Sequence, residues 1–422
     1  MRITLMKSAC KTWPDIPIHE ITDLAERSTN DDDNDSNDTD SQSSQTSNVE
    51  FHGKEVVIIG SLFKKMPKQP NILKELDDEK KLASDIELEP LKNFISDNDL
   101  IYLQSNDESI ELRGAINIGC LCTGLCVAVK GYVNPNGSGF IVNDILFSTV
   151  DQIQRPLLEA DQYLALASGL GFSKNMSKNQ SLVNSLNLLF DVLTGNSELV
   201  INKPIVRFII AGNSISKNAR NEEMGSEGKV PAWNKKVQSY THDAVKLMDK
   251  FLANVGQYMH VDFMPGPIDP CSILLPQQPL HPCMFPKSYP LGSIRSVTNP
   301  HHFSIGGVRF LGTSGQNIDS LRSCTSFTES TDIMRQLMEW GHIAPTCPDL
   351  LHCYPFADKD PFVIDQYPDV FFAGNQPDFS LGTFESSEGK KVKLVSIPVF
   401  EDKMILVLIN LRTLNLEMVA LD

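Results

Sequence analysis

The chain has 422 residues, 41% hydrophobic and 21% charged, with a formal net charge of −16. That length supports two or three domains with a sizeable core, and that charge argues against the broad basic footprint of a non-specific nucleic-acid binder. No run approaches the roughly 18 apolar residues that suggest a membrane span, and the nine cysteines, odd in number, scattered and without a secretory signal before them, fit a reducing compartment.

In chain order, the first distinctive segment is 28–48, built from Ser, Thr, Asn, Gln and Asp, with Asp31, Asp32 and Asp33 in a row. It has no apolar residue to offset its ordering entropy, so residues 28–50 read as a disordered acidic loop. Residues 51–155 read as β-rich. Val56-Val-Ile-Ile59, Ile110-Glu-Leu112, Cys126-Val-Ala-Val129 and Phe140-Ile-Val142 are rich in β-branched residues, and Asn134-Pro-Asn-Gly137 is a turn that joins two runs as a hairpin. A small five-stranded barrel of the oligonucleotide-binding type fits this length and pattern. It reads as a scaffold rather than a reader of single strands, because acidic residues outnumber basic ones and no strand alternates aromatic with basic residues.

From about residue 156 the pattern becomes strand then helix. Leu182, Leu186, Leu189 and Leu193 recur at helical spacing, as do Ala244, Val245, Met248 and Leu252. Five apolar runs end in Gly/Asn/Pro turns: Tyr163–Ala167 into Gly169-Leu-Gly171, Val206–Ile210 into Gly212-Asn213, Val261–Phe263 into Gly266-Pro267-Ile268-Asp269, Val308–Leu311 into Ser314-Gly315, and Val370–Phe372 into Gly374-Asn375-Gln376-Pro377. Val392–Val395 and Met404–Ile409 are closing strands. The order implies a layered α/β sandwich, and loops at the carboxyl ends of its strands are where such folds place ligands.

Those turns carry Gly, Ser, Asn and Pro where a di-metal hydrolase needs converging His and Asp residues. His301, His302, His342 and His352 with Asp269 are the candidate metal ligands, but the histidines lie mostly away from the turns. Cys120, Cys122 and Cys126 are evenly spaced, so in an extended strand they share one face; with no fourth ligand nearby they read as structural rather than as a zinc site. The Pro-rich stretch Pro276–Pro286 contains His281 and Cys283, a candidate reactive pair that reads better as a rigid loop at an interface.

Several strings carry a resemblance: Val261–Gly266, Leu275–Pro286, Gly307–Asn317, His342–Pro345, Cys353–Phe356 and Gly60–Lys64. Together they resemble the small, second subunits of eukaryotic DNA polymerase delta, within the DNA polymerase B-subunit family. The likeness runs from about residue 54 almost to the end. It implies an oligonucleotide-binding-type barrel beside a calcineurin-like phosphoesterase α/β sandwich (α+β with α/β) over 156–422 that has lost its activity. In active archaeal relatives the turns read Asp-x-His, Gly-Asp, Gly-Asn-His-Asp, His-Gly and Gly-His-x-His. Here the matching positions are Gly169 and Gly171, Asn213, Pro267, Ile268 and Asp269, Ser314, and Asn375 and Pro377, so no catalytic, cofactor or metal residue is expected. Residues 1–27 then correspond to a helical remnant before the barrel, shortened relative to the family, and the acidic stretch has no counterpart in the family pattern.

The resemblance further implies a nuclear, non-catalytic scaffold. It would bridge the cysteine-rich C-terminal domain of the polymerase catalytic chain to a third regulatory subunit, with DNA touched at most indirectly and no membrane role. Lys64-Lys65, Lys235-Lys236 and Lys390-Lys391 are too short to act as an import signal, which points to co-import with a partner. The alternative is an active metal-dependent phosphodiesterase or nuclease of the calcineurin-like superfamily.

Overall fold

A computed structural model describes residues 2–21, 54–69, 93–105, 108–134, 139–200, 203–217 and 239–421. The acidic stretch 28–50, the tip of the expected hairpin at 135–138 and Lys235-Lys236 lie outside the described residues.

The amino-terminal half opens with helix α1 (Arg2–Thr12) and strand β1 (Ile18–His19). Strands β2 (Val56–Lys65), β3 (Leu100–Ser105), β4 (Glu108–Gly114), β5 (Cys126–Val133) and β6 (Phe140–Leu146) follow. The sheet order is β1-β2-β3-β4-β6-β5 with a further β2–β5 pairing, so β2 to β6 close on themselves. Closure depends on the length of β2. Its first half pairs with β5 from Val56↔Gly131 to Ser61↔Cys126, and its second half pairs with β3 from Ser61↔Gln104 to Lys65↔Leu100. Strand β4 runs parallel to β6, whereas the other pairings of β2 to β6 among the described residues are antiparallel.

The apolar run 56–59 is continuous because both faces of β2 are covered. Val56 and Ile58 point into the barrel core, whereas Val57 and Ile59 pack outward against Leu5, Ala9 and Trp13 of the α1 region. Leu5 and Ala9, one helical turn apart, supply that contact.

The carboxyl-terminal half is a sandwich. One sheet has the order β10-β9-β8-β7-β16-β17, from β7 (Tyr163–Ala167), β8 (Ile205–Ala211), β9 (His260–Met264), β10 (Ile294–Ser296), β16 (Ile405–Asn410) and β17 (Leu416–Ala420). The other is β11-β12-β13-β15-β14, from β11 (His301–Ile305), β12 (Val308–Thr313), β13 (Val370–Gln376), β14 (Ser380–Glu385) and β15 (Lys391–Pro398). Strands β7 to β10 are mutually parallel, as are β12, β13 and β15.

Alternation along each strand decides the layers. Leu164, Leu166 and Ile209 meet Phe310, Phe372 and Val395 between the sheets. The alternate residues Ala165, Phe208, Ile210 and Phe263 face helices α2 (Gln180–Thr194) and α3 (Ser239–Val255). On the far side, Leu311, Phe371 and Leu394 face α4 (Gln316–Cys324) and α5 (Ser330–Trp340). The predicted leucine stripe is the buried face of α2. That helix starts where the Asn179 side chain accepts from Leu182 N and ends at Gly195, whose φ of 78° suits a residue without a Cβ. Among the described residues no helix is long and apolar enough to cross a membrane.

The barrel and the α4–α5 layer share one hydrophobic cluster, which includes Ile58 and Leu62 together with Leu321 and Met334. Lys64 of β2 is buried at this junction. Its Nζ donates to Cys324 O at 2.8 Å, at the carboxyl end of α4 where a cation meets the negative end of the helix dipole. Asp99 Oδ2 lies 3.6 Å from the same nitrogen, and both side chains are almost fully buried.

Candidate functional site at the strand ends

The five turns read from the sequence meet at one end of the sandwich. Gly169 N donates to Gly212 O at 2.9 Å, joining the first turn to the second. Asn375 Nδ2 donates to Ala211 O at 3.0 Å and Ser314 O at 2.9 Å, tying the fifth turn to the second and fourth. Asn375 N donates to Ser168 Oγ at 2.8 Å, and that hydroxyl lies 3.0 Å from Pro398 O. Asn213 Oδ1 accepts from Ile268 N at 3.1 Å, which brings in the third turn.

Asp269 is the single acid at the matched positions, and it is buried. Its Oδ1 accepts from Ile215 N at 3.1 Å and its Oδ2 from Gly266 N at 2.9 Å. Burial pushes its pKa up to about 6, opposed by backbone N–H groups of Ile215, Gly266, Asn213 and Ser214. Both oxygens therefore serve the backbone of two turns. Pro267 and Pro377 are exposed, and Ile268 is half-buried.

Close packing fills the space between these turns. A Cβ on Gly212, whose φ is +81°, would lie 2.4 Å from Ser314 Cβ, and one on Gly374 would lie 2.3 Å from Ala211 O. A Cβ on Gly171 would meet Glu401, whose Oε1 accepts from Ser216 Oγ at 2.7 Å. Asn213 and Asn375 hold φ values of 54° and 57°, a left-handed conformation that Asn tolerates better than most residues. Among the described residues, two buried neutral oxygens, Ser214 Oγ and Asn375 Oδ1, find no hydrogen-bond partner.

Residues outside the turns complete the cluster, with no local sign of that role in the sequence. Asn299 Nδ2 lies 2.7 Å from Gln277 Oε1 and 2.6 Å from Ser314 Oγ, and Gln316 Nε2 donates to Gln277 Oε1 at 2.9 Å. Gln277 Nε2 also reaches Ser272 O at 2.9 Å. Part of the Pro-rich stretch thus buttresses the strand ends from inside. The periodicity of neighbouring residues carries no trace of a buried glutamine in a Pro-rich loop.

The histidines lie apart from the strand-end turns. His301 and His302 sit on edge strand β11; His301 stacks on Phe303 with centroids 4.8 Å apart, and burial pulls its pKa down to about 4. His342 Nε2 lies 2.9 Å from Asp360 Oδ2 while its Nδ1 accepts from Ala344 N. His352 is exposed. Among the described residues no group of three or more His, Cys, Asp or Glu is placed to hold a metal ion.

The reading of Cys120, Cys122 and Cys126 on one face needs correction. Ile118–Cys120 is a 3₁₀ turn and a further turn precedes β5, so the backbone is not extended across the trio. Cys122 packs in the barrel core and Cys126 against the α1 side. His281 and Cys283 form no thiol–imidazole pair: His281 Nδ1 accepts from Cys283 N at 3.2 Å, capping a 3₁₀ turn.

Two family models match this geometry. Residues 1–145, which hold the barrel, match the DNA polymerase delta subunit OB-fold domain, and residues 164–381, from β7 into β14, match the B-subunit of DNA polymerases alpha and epsilon. The DNA polymerase delta small subunit of Arabidopsis thaliana is 37% identical over 374 residues, covering 86% of this chain and 81% of the relative. The chain belongs to the DNA polymerase delta small-subunit family. Relatives of similar closeness are the DNA polymerase delta small subunit of Oryza sativa subsp. japonica and DNA polymerase delta subunit 2 of Drosophila melanogaster. Each is 36% identical, over 86% of this chain and 82% of the relative. The OB-fold description agrees with the closed barrel, and membership connects the chain to the machinery of DNA replication.

Proposed function

We propose that the chain is a non-catalytic accessory subunit of DNA polymerase delta, working in the nucleus in DNA replication and repair. It bridges the cysteine-rich C-terminal domain of the catalytic chain to a further regulatory subunit. In this reading residues 51–155 form the oligonucleotide-binding-type domain and 156–422 a calcineurin-like phosphoesterase domain without its activity. Gly169, Gly171, Asn213, Pro267, Ile268, Asp269, Ser314, Asn375 and Pro377 are then its former ligand positions.

One observation carries the non-catalytic part: the strand-end cluster bonds to itself. Gly and Pro offer no side-chain ligand, and neutral Asn is a weak anchor for a divalent cation without carboxylates beside it. The one matched carboxylate, Asp269, already accepts two backbone N–H groups. The relatives' shared name supports the polymerase assignment. A net charge of −16 supports indirect rather than direct contact with DNA.

The test is co-expression of the full chain with the cysteine-rich domain of the cognate catalytic chain, followed by size-exclusion chromatography at moderate salt. One stoichiometric peak is the expected outcome. Separate elution of a folded chain would remove the scaffold reading.

A further inference from the structure

Large apolar side chains are uncovered on two neighbouring segments far apart in sequence. Ile273 and Leu274 are 58% and 39% exposed, and Tyr354 and Phe356 are 57% and 50% exposed. Leu275 N donates to His352 O at 2.9 Å and Tyr354 N donates to Leu275 O at 2.8 Å, so the two segments run side by side. The Tyr354 and Phe356 rings meet edge to face with centroids 5.0 Å apart, and Phe356 N donates to Tyr354 O at 3.1 Å. Single exposed apolar residues are ordinary, but here two rings in contact lie on a segment whose backbone is hydrogen-bonded next to the two exposed aliphatic residues. Aromatic residues are the types enriched as anchors at the centre of protein interfaces.

The loop that carries the two rings is acidic in sequence. The same loop carries Asp349, Asp358, Asp360 and Asp365 against a single Lys359, and that lysine pairs with Asp365 at 2.6 Å. Asp360 is taken by His342, and Asp349 accepts weakly from Gln69. Among the described residues Asp349 and Asp358 have no salt-bridge partner, so this loop keeps uncompensated negative charge, on a chain that is itself at −16. A nucleic acid or an acidic peptide would be repelled there, whereas lysines and arginines beside an apolar anchor would be drawn in.

We propose that Ile273, Leu274, Tyr354 and Phe356 form the centre of a docking surface for a protein partner that presents an apolar anchor flanked by basic side chains. This inference rests on the scaffold reading and gives one of its interfaces a location. The exposed anchor fits a site filled only in the assembled complex, since a stable interface buries more than about 1,000 Å² in total and extends well beyond four side chains.

The test measures the affinity of the full-length chain separately for the polymerase delta catalytic chain and for the third regulatory subunit. Tyr354→Ser with Phe356→Ser weakens binding to one of them by about 100-fold or more. Asp358→Lys weakens the same interaction at low salt, with a smaller loss at high salt. Ile273→Ser with Leu274→Ser is the second pair, used if the aromatic variant does not keep the wild-type melting temperature. Unchanged affinity for both partners in folded variants overturns the docking surface and leaves the scaffold reading standing. Loss of self-association instead, seen as a wild-type dimer that the variants abolish in sedimentation, also overturns it. Wild-type chain that binds neither partner removes both readings.

Discussion

The strand-end cluster and the Tyr354–Phe356 surface treat their side chains in opposite ways. At the strand ends, polar groups are buried and bonded mostly to one another: Asn375 to Ala211 and Ser314, Asp269 to Ile215 and Gly266, Asn299 to Gln277. At the surface, aromatic and aliphatic groups stand in water. A site for small-molecule chemistry has the reverse character, with polar groups left open in a concave pocket. On the proposed reading, the cluster belongs to the framework and the exposed surface to binding.

If buried polarity is what the framework depends on, the largest effect comes where it is least well compensated. Lys64→Ala strands the buried Asp99 carboxylate and should lower stability by about 3–5 kcal/mol, read by urea denaturation. Replacing both, Lys64→Met with Asp99→Leu, should recover most of that loss, because two uncharged groups leave no orphan charge. Gly212→Ala comes next, at about 2–4 kcal/mol, since the new Cβ meets Ser314 at a left-handed φ. Asp269→Ala follows at about 1–3 kcal/mol: two backbone donors lose their acceptor, offset in part by removal of a buried carboxylate.

The pH dependence sharpens the same contrast. Asp269 has a folded pKa of about 6, above its usual value, so its contribution is greatest at low pH and is lost as pH rises toward 6. His301 has a folded pKa of about 4, below its usual value, so the folded state excludes a proton that the unfolded chain accepts. Stability is then lost as pH falls from about 6.5 to 4. His301→Phe keeps the stack on Phe303 and should flatten that acid limb in melting curves taken between about pH 4 and 7. The smallest effect belongs to the exposed surface, where Tyr354→Ser alone should change stability by no more than about 0.5 kcal/mol.

Much of the architecture is legible in the sequence because periodicity reports burial directly. The leucine stripe of α2, the doubly covered run 56–59 and the five strand-to-turn transitions all follow from local pattern. The convergence of those turns follows from strand order and from glycines where the backbone needs them. The spacing of Cys120, Cys122 and Cys126 misleads because it fixes a shared face only in an extended chain, and a 3₁₀ turn intervenes. The burial of Lys64 and the inward reach of Gln277 and Asn299 have no local signal, since each depends on a partner distant along the chain. Cys353-Tyr-Pro-Phe356 stands out as a family string, but only the pairing of Leu275 with Cys353 shows what lies beside it.

The most direct measurement of the central claim is a manganese titration of the purified full-length chain by calorimetry, paired with hydrolysis of bis-p-nitrophenyl phosphate. A self-bonded strand-end cluster predicts no saturable binding and no turnover above a protein-free blank. Saturable binding with turnover that Asp269→Ala abolishes, in a variant that remains folded, would contradict it and restore the phosphodiesterase reading.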